Sequence, residues 1–183
     1  MGGTSTTSLR VPQGSLVVLI GPAGSGKSTL AKRLFPSAAV LSSDAFRARI
    51  GTGEADQSVT GAAFAALHRA LEARLTARQT TIIDATSLAP AARSALLRRT
   101  RAHSAAAVAI VLDLPADLVL ARNAARADRV VAERAVRRQL ALLRAVTDPV
   151  LAAEGFDVVH RIRSDGDLAT LRILEGETLE GET

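Results

Sequence analysis

Residues 16–28 read LVVLIGPAGSGKS, an apolar run from Leu16 to Ile20 followed at once by the glycine-rich segment Gly21–Ser28. The first part is short, uninterrupted by polar residues and rich in β-branched side chains, the pattern of a strand buried on both faces of a parallel sheet. The second part satisfies G-x-x-x-x-G-K-[ST], and Lys27–Phe35 continues with helical spacing up to Pro36. Strand, glycine loop and helix in that order form a phosphate-binding loop. Its glycines let the backbone approach an anion, and the amides at the helix start point at it. Gly21, Gly24, Ser25, Gly26, Lys27, Ser28 and Thr29 are therefore the candidate contacts to a nucleoside triphosphate. Lys27 is expected on the β- and γ-phosphates and Ser28 on Mg²⁺.

Further apolar runs alternate with helical segments. Strands are expected over Ala38–Leu41, Thr80–Ile83, Val108–Leu112 and Phe156–His160. Helices are expected over Thr60–Ala77, Ala91–Arg101 behind Pro90, Ala116–Ala127 and Val131–Val146, with a loop over Gly51–Gln57. Five short strands alternating with helices predict an α/β fold of the P-loop NTPase type: a doubly wound parallel sheet flanked by helices, with an arginine-rich helical lid over about residues 116–146. Residues 1–174 are expected to form one domain, and the acidic repeat in residues 175–183 a tail or linker.

The 183 residues suit a single domain with a sizeable core. The chain has no cysteine and three scattered histidines, which argues against disulfides, thiol chemistry and zinc. No apolar run reaches the roughly 18 residues of a membrane span, and Met1–Gln13 lacks the pattern of a signal peptide, so a cytoplasmic protein without membrane association is expected. The formal net charge is +5, with 21 arginines to two lysines, a bias that makes overall basicity weak evidence about partners. Its distribution is more informative. Residues 93–144 hold 11 cations and 4 acids, whereas residues 145–183 hold 3 and 9. An anionic ligand is expected near the first of these stretches.

No N-K-x-D base-reading motif and no LSGGQ-type signature is present. The best remaining class, with a nucleotide-binding module without catalysis as the alternative, is a small phosphotransferase that moves phosphate to an acceptor hydroxyl, of a polynucleotide, a small metabolite or a nucleotide sugar. Such chemistry needs a base near the γ-phosphate. Asp44, at the end of the second strand, can serve as that base or as the N-cap of a helix over Ala45–Ile50. Arg47, three residues on, shares its helical face and can hold a phosphate of the acceptor. Asp84 and Asp113 both close apolar strands and are candidates to assist the metal, Asp84 being preferred. Arg122, Arg126 and Arg129 are spaced by four and three, along one helix surface or its end. There, guanidiniums would neutralise charge on the transferring phosphate, an effect worth roughly 10³–10⁵ in rate.

GPAGSGKST, SSDAFR (42–47), DQSVTGAAFAALH (56–68), IIDAT (82–86) and ARNAARADR (121–129) occur in this order. Together they resemble the 5′-hydroxyl polynucleotide kinase domain of bacterial polynucleotide kinase–phosphatase, an RNA-repair enzyme, and more loosely the phage polynucleotide kinase. The resemblance spans about Leu16 to Ile162. It implies a kinase using ATP (or another NTP) and Mg²⁺ on the 5′-OH ends of RNA or DNA. Asp44 would be general base and Arg47 the ligand of the phosphate next to the terminal nucleoside, while Arg122 and Arg126, with Arg129, would act on the donor's phosphates. It also implies a homodimer and, in a longer parent chain, phosphatase and ligase modules for which there is no room after Ile162. With four phenylalanines and no tyrosine or tryptophan, stacking platforms are scarce, so the end is expected to be read through phosphate and sugar.

Overall fold

The computed structural model describes residues 8–51, 59–127 and 129–176. Its main sheet has five parallel strands: β2 (Leu16–Ile20), β3 (Val40–Ser42), β4 (Thr81–Asp84), β5 (Ala107–Leu112) and β6 (Val158–Ile162), in the order β3-β4-β2-β5-β6. Two parallel strands outside it, β1 (Ser8–Pro12) and β7 (Arg172–Gly176), pair with each other. The helices are α1 (Lys27–Leu34), α2 (Ser43–Ile50), α3 (Thr60–Thr76), α4 (Pro90–Ala102), α5 (Ala116–Ala124), α6 (Glu133–Leu143), α7 (Asp148–Glu154) and α8 (Asp165–Thr170).

β2 shows why an unbroken apolar run is required. Val17 and Leu19 point into one core with Ile82, Val108 and Ile110, while Leu16, Val18 and Ile20 point into the other with Ile83, Ala109 and Val111. All five β2 residues are fully buried. Side chains alternate across a strand, so a central strand covered on both faces has no solvent side on which to place a polar residue.

The elements expected from periodicity are present, with shifted ends. The second strand begins later than Ala38 because a 3₁₀ turn occupies Ser37–Ala39. The last strand starts at Val158 instead of Phe156: the Asp157 carboxylate takes up the Ala107 amide at 2.7 Å, and Phe156 turns into the core. The two basic helices are shorter than expected. α5 stops at Ala124 and α6 starts at Glu133, because the buried Asn123 carboxamide clasps Val131 from both sides, donating to its carbonyl at 2.7 Å and accepting from its amide at 3.1 Å. Arg126 and Arg129 therefore stand beyond the end of the helix that carries Arg122, the second of the two placements that their spacing allows.

Four elements lie outside the expectation: β1, β7, α7 and α8. The expected acidic tail is also trimmed, since β7 runs through Glu175 and Gly176. The loop expected over Gly51–Gln57 lies, past Gly51, outside the described residues. Among the described residues no helix is long and apolar enough to cross a membrane.

Candidate active site

The glycine loop leaves β2 at Gly21, whose amide donates to the Thr86 carbonyl at 3.1 Å and so ties the loop to the end of the neighbouring strand. Gly24 and Gly26 hold φ of 83° and 94°, a left-handed backbone that an L side chain tolerates poorly. A Cβ on Gly24 would also run into the Val119 carbonyl oxygen. α1 begins without a side-chain cap, leaving its first amides available to an anion.

Lys27 is buried and folds back over the loop, donating to the Pro22 carbonyl at 2.7 Å and lying 3.5 Å from Ser25 Oγ. Burial lowers its pKa from 10.5 to about 8, opposed by Asp84 and reinforced by the Arg126 cation. An ammonium held this way is short of negative charge, which a triphosphate would supply.

Asp84 is the last residue of β4 and is buried. In the pairing of β3 with β4, Ser42 stands opposite Asp84, so the start of α2 lies beside the end of β4. The Ser42 hydroxyl accepts from the Ala45 amide and caps α2. The capping alternative for Asp44 is thereby corrected: α2 starts at Ser43, and Asp44 lies in its first turn without serving as the cap. That carboxylate is engaged by Arg47 of the same helix and by Arg129, whose Nη1 is 3.1 Å from Asp44 Oδ1. Asp113 is placed elsewhere. Arg161 holds it at 3.0 Å while also reaching Asp148 and the Val146 carbonyl, a structural cluster away from the cleft.

A single cavity of about 1200 Å³ is bordered by Gly24, Gly26, Lys27, Ser28, Thr29, Asp44, Arg47, Asp84, Arg122, Arg126 and Arg129. Gly21 and Ser25 do not border it: Ser25 is fully buried, and the space where a Gly21 side chain would stand meets Ser25 Oγ and the Leu112 carbonyl. These two shape the loop from behind. Arg122 crosses to Asp165 of α8 at 2.6 Å.

Some bordering residues carry no signal in the sequence. Gln139 of α6 accepts the Ala23 amide at 2.8 Å and so fastens the helix after the basic segment to the phosphate loop. Asp165, Leu168 and Ala169 come from α8, whose six residues are too few for periodicity to reveal.

A parallel sheet in this strand order, with a phosphate loop between its central strand and first flanking helix, is the fold of a P-loop kinase, and the kinase-like cleft supports phosphotransferase chemistry. The AAA domain family matches residues 16–150, and the chain belongs to that family. No match was found among curated proteins. Solved structures share the fold. A chain of the Pnkp1/Rnl/Hen1 RNA repair complex is 23% identical at a TM-score of 0.58, with 79% of this chain and 47% of that one covered. A second structure of the Pnkp1/Rnl/Hen1 complex is 24% identical at 0.52, covering 64% and 40%. A gluconokinase from Sinorhizobium meliloti 1021 is 15% identical at 0.55, covering 87% of each chain. The protein thus spans less than half the length of the repair-complex chains it matches.

Proposed function

We propose that the protein transfers the γ-phosphate of ATP, or of another nucleoside triphosphate, to the 5′-hydroxyl end of RNA or DNA, as a step in healing nucleic-acid ends. The observation that carries this reading is the Asp44–Arg47 pair at the edge of the cavity that also holds Lys27. A carboxylate there can take the proton of an attacking hydroxyl. A guanidinium beside it suits an acceptor that brings a phosphate of its own, as a polynucleotide end does and a free sugar does not. Fold neighbours include both an RNA repair complex and a gluconokinase, so the choice of acceptor rests on these residues and not on the fold.

In this reading the loop amides and Lys27 hold the β- and γ-phosphates. The acceptor oxygen forms a bond to the γ-phosphorus as the bond to the β,γ-bridging oxygen breaks. The nucleoside diphosphate leaves with the electron pair, and Asp44 receives the hydroxyl proton. Arg122 and Arg126 face the charge that spreads over the γ-oxygens. Ser28 and Asp84 border the same cavity and offer a hydroxyl and a carboxylate oxygen. That sparse donor set fits Mg²⁺, which keeps several waters and relies on substrate phosphates for its remaining contacts. When bound, the ion supplies charge neutralisation across the β- and γ-phosphates.

Incubation with γ-labelled ATP, Mg²⁺ and a 5′-OH oligonucleotide tests the proposal. Label is expected on the 5′ oxygen, releasable as a labelled nucleoside 5′-monophosphate on digestion. Transfer to small hydroxyl compounds with none to the oligonucleotide would replace this reading with that of a metabolite kinase.

A further inference from the structure

At about 1200 Å³ the cavity exceeds the roughly 300–1,000 Å³ of a single small-molecule site, and its two ends differ in chemistry. On the α1 and α8 side it is bordered by Lys32, Arg33 and Leu168. On the other side, beyond Asp44, it runs into a compartment between α3 and α4. Phe64, Leu67 and His68, at spacings of three and four, line it from α3. Ala92 and Leu96 line it from α4, and Leu88 from the segment just before that helix. Leu67, Leu88 and Leu96 are buried in the core and make an apolar floor, whereas Phe64 and His68 are half-buried. Their rings lie 6.2 Å apart at 48°.

The position of Phe64 sets it apart from the chain's other phenylalanines. Phe35 and Phe156 are buried in the two cores, and Phe46 packs against one of them with Arg49 over its ring. Phe64 alone among the four borders the cleft.

We propose that the compartment between α3 and α4 receives the base of the acceptor's terminal nucleotide, with Phe64 as its stacking face and the His68 imidazole at its rim. The inference rests on the reading of the protein as a kinase of polynucleotide ends. Its direction follows from the chemistry. With the donor's phosphates on the loop and its nucleoside assigned to the end bordered by α1 and α8, the space on the far side of Asp44 is left to the group that bears the attacking hydroxyl. α2, which carries Asp44 and Arg47, packs directly on α3. Burial and the nearby Arg99 cation lower the pKa of His68, so the ring facing the compartment is held toward its neutral form, able to accept or donate one hydrogen bond to a base edge. The composition alone suggests a base-independent reading of the end; one well-placed ring suffices to add stacking that is indifferent to which base is present.

A thermodynamic cycle tests this. Oligonucleotides with a normal or an abasic 5′-terminal nucleotide are offered to the wild type and to Phe64→Ala. The wild type is expected to show a KM roughly tenfold or more lower for the base-bearing end, and Phe64→Ala to lose that preference while treating the abasic end as the wild type does. Equal effects of Phe64→Ala on both ends would overturn the compartment while leaving the kinase reading intact. Transfer to neither end by the wild type would overturn both.

Binding gives a second readout that does not depend on turnover. The chain has no tryptophan or tyrosine, so Phe64→Trp introduces a lone indole into a silent background. Its fluorescence is expected to be quenched by a base-bearing 5′-OH oligonucleotide and not by the abasic one. Quenching by the nucleoside triphosphate alone would assign the compartment to the donor and overturn the proposal.

Discussion

Arg129 Nη1 lies 3.1 Å from Asp44 Oδ1, and Arg47 engages the same oxygen from within α2. A residue of the segment that follows α5 thereby reaches the carboxylate proposed above as the general base. Arg129, expected with Arg122 and Arg126 on the donor's phosphates, borders the same cavity as they do and pairs there with Asp44.

Asp44→Asn keeps the size and first-turn position of the side chain and removes its basicity. Transfer is expected to fall by about 10²–10⁴-fold, the usual contribution of a general base, with nucleotide affinity nearly unchanged. Rate measurements paired with equilibrium binding of a labelled nucleotide check this. Full activity in the variant would place the base elsewhere.

Arg47→Ala is expected to raise the KM for oligonucleotide ends by about tenfold or more and to leave the KM for ATP within a factor of about two, because a charge-assisted hydrogen bond contributes about 1.5–3 kcal/mol. Steady-state kinetics with each substrate varied separately show the split. Equal changes in both constants would count against contact with the acceptor.

Much of this arrangement is legible in the sequence, and the legible part has a common physical cause. β2 and β5 are buried on both faces and are apolar throughout, β4 keeps an apolar centre in Ile82 and Ile83, and all three end within a residue or two of where periodicity places them. The phosphate loop is equally plain, since its left-handed glycines and buried lysine are demands of local geometry. What escaped depends on contacts between residues far apart in the chain or on bonds that leave no periodic pattern. β1 and β7 are half-polar strands that pair with each other across the length of the chain. The clasp of Asn123 on Val131, which ends α5 and sets the course of the basic segment, leaves no periodic trace. The assignment of α2's cap to Ser42 over Asp44 was open for a similar reason, as serine and aspartate cap equally well.

The Asn123 clasp makes a prediction of its own. Asn123→Ala removes two part-buried hydrogen bonds to the Val131 amide and carbonyl, a loss of about 1–3 kcal/mol at about 0.5–1.5 kcal/mol each, readable from denaturant unfolding. Arg126 and Arg129 follow directly behind it, so kcat is expected to fall further than that destabilisation alone would cause at temperatures where the variant stays folded. A variant as active as the wild type would show that the segment finds its place without the clasp.

Lys27 sets a pH dependence. With a folded pKa of about 8 against 10.5 unfolded, it is charged in both states below pH 8, and there its burial costs about 3 kcal/mol. Between pH 8 and 10.5 the unfolded chain binds the extra proton, so this penalty fades and stability rises with pH. Lys27→Met is accordingly expected to stabilise the nucleotide-free protein near pH 7 and to lose that advantage by about pH 10. Binding of a triphosphate restores the charge, so calorimetry of the wild type near pH 9, in buffers of different ionisation enthalpy, is expected to show proton uptake. A gain from Lys27→Met that does not change with pH, together with no proton uptake, would contradict the assignment.

The most direct test of the central claim compares kcat/KM for phosphate transfer from ATP to three acceptors: a 5′-OH oligonucleotide, a free nucleoside with no phosphate, and a sugar acid such as gluconate. The account predicts that the oligonucleotide end exceeds both others by about 10- to 100-fold, the order expected for one charge-assisted phosphate contact, and that Arg47→Ala removes most of that margin. A sugar acid or free nucleoside matching or surpassing the oligonucleotide end in the wild type would contradict it.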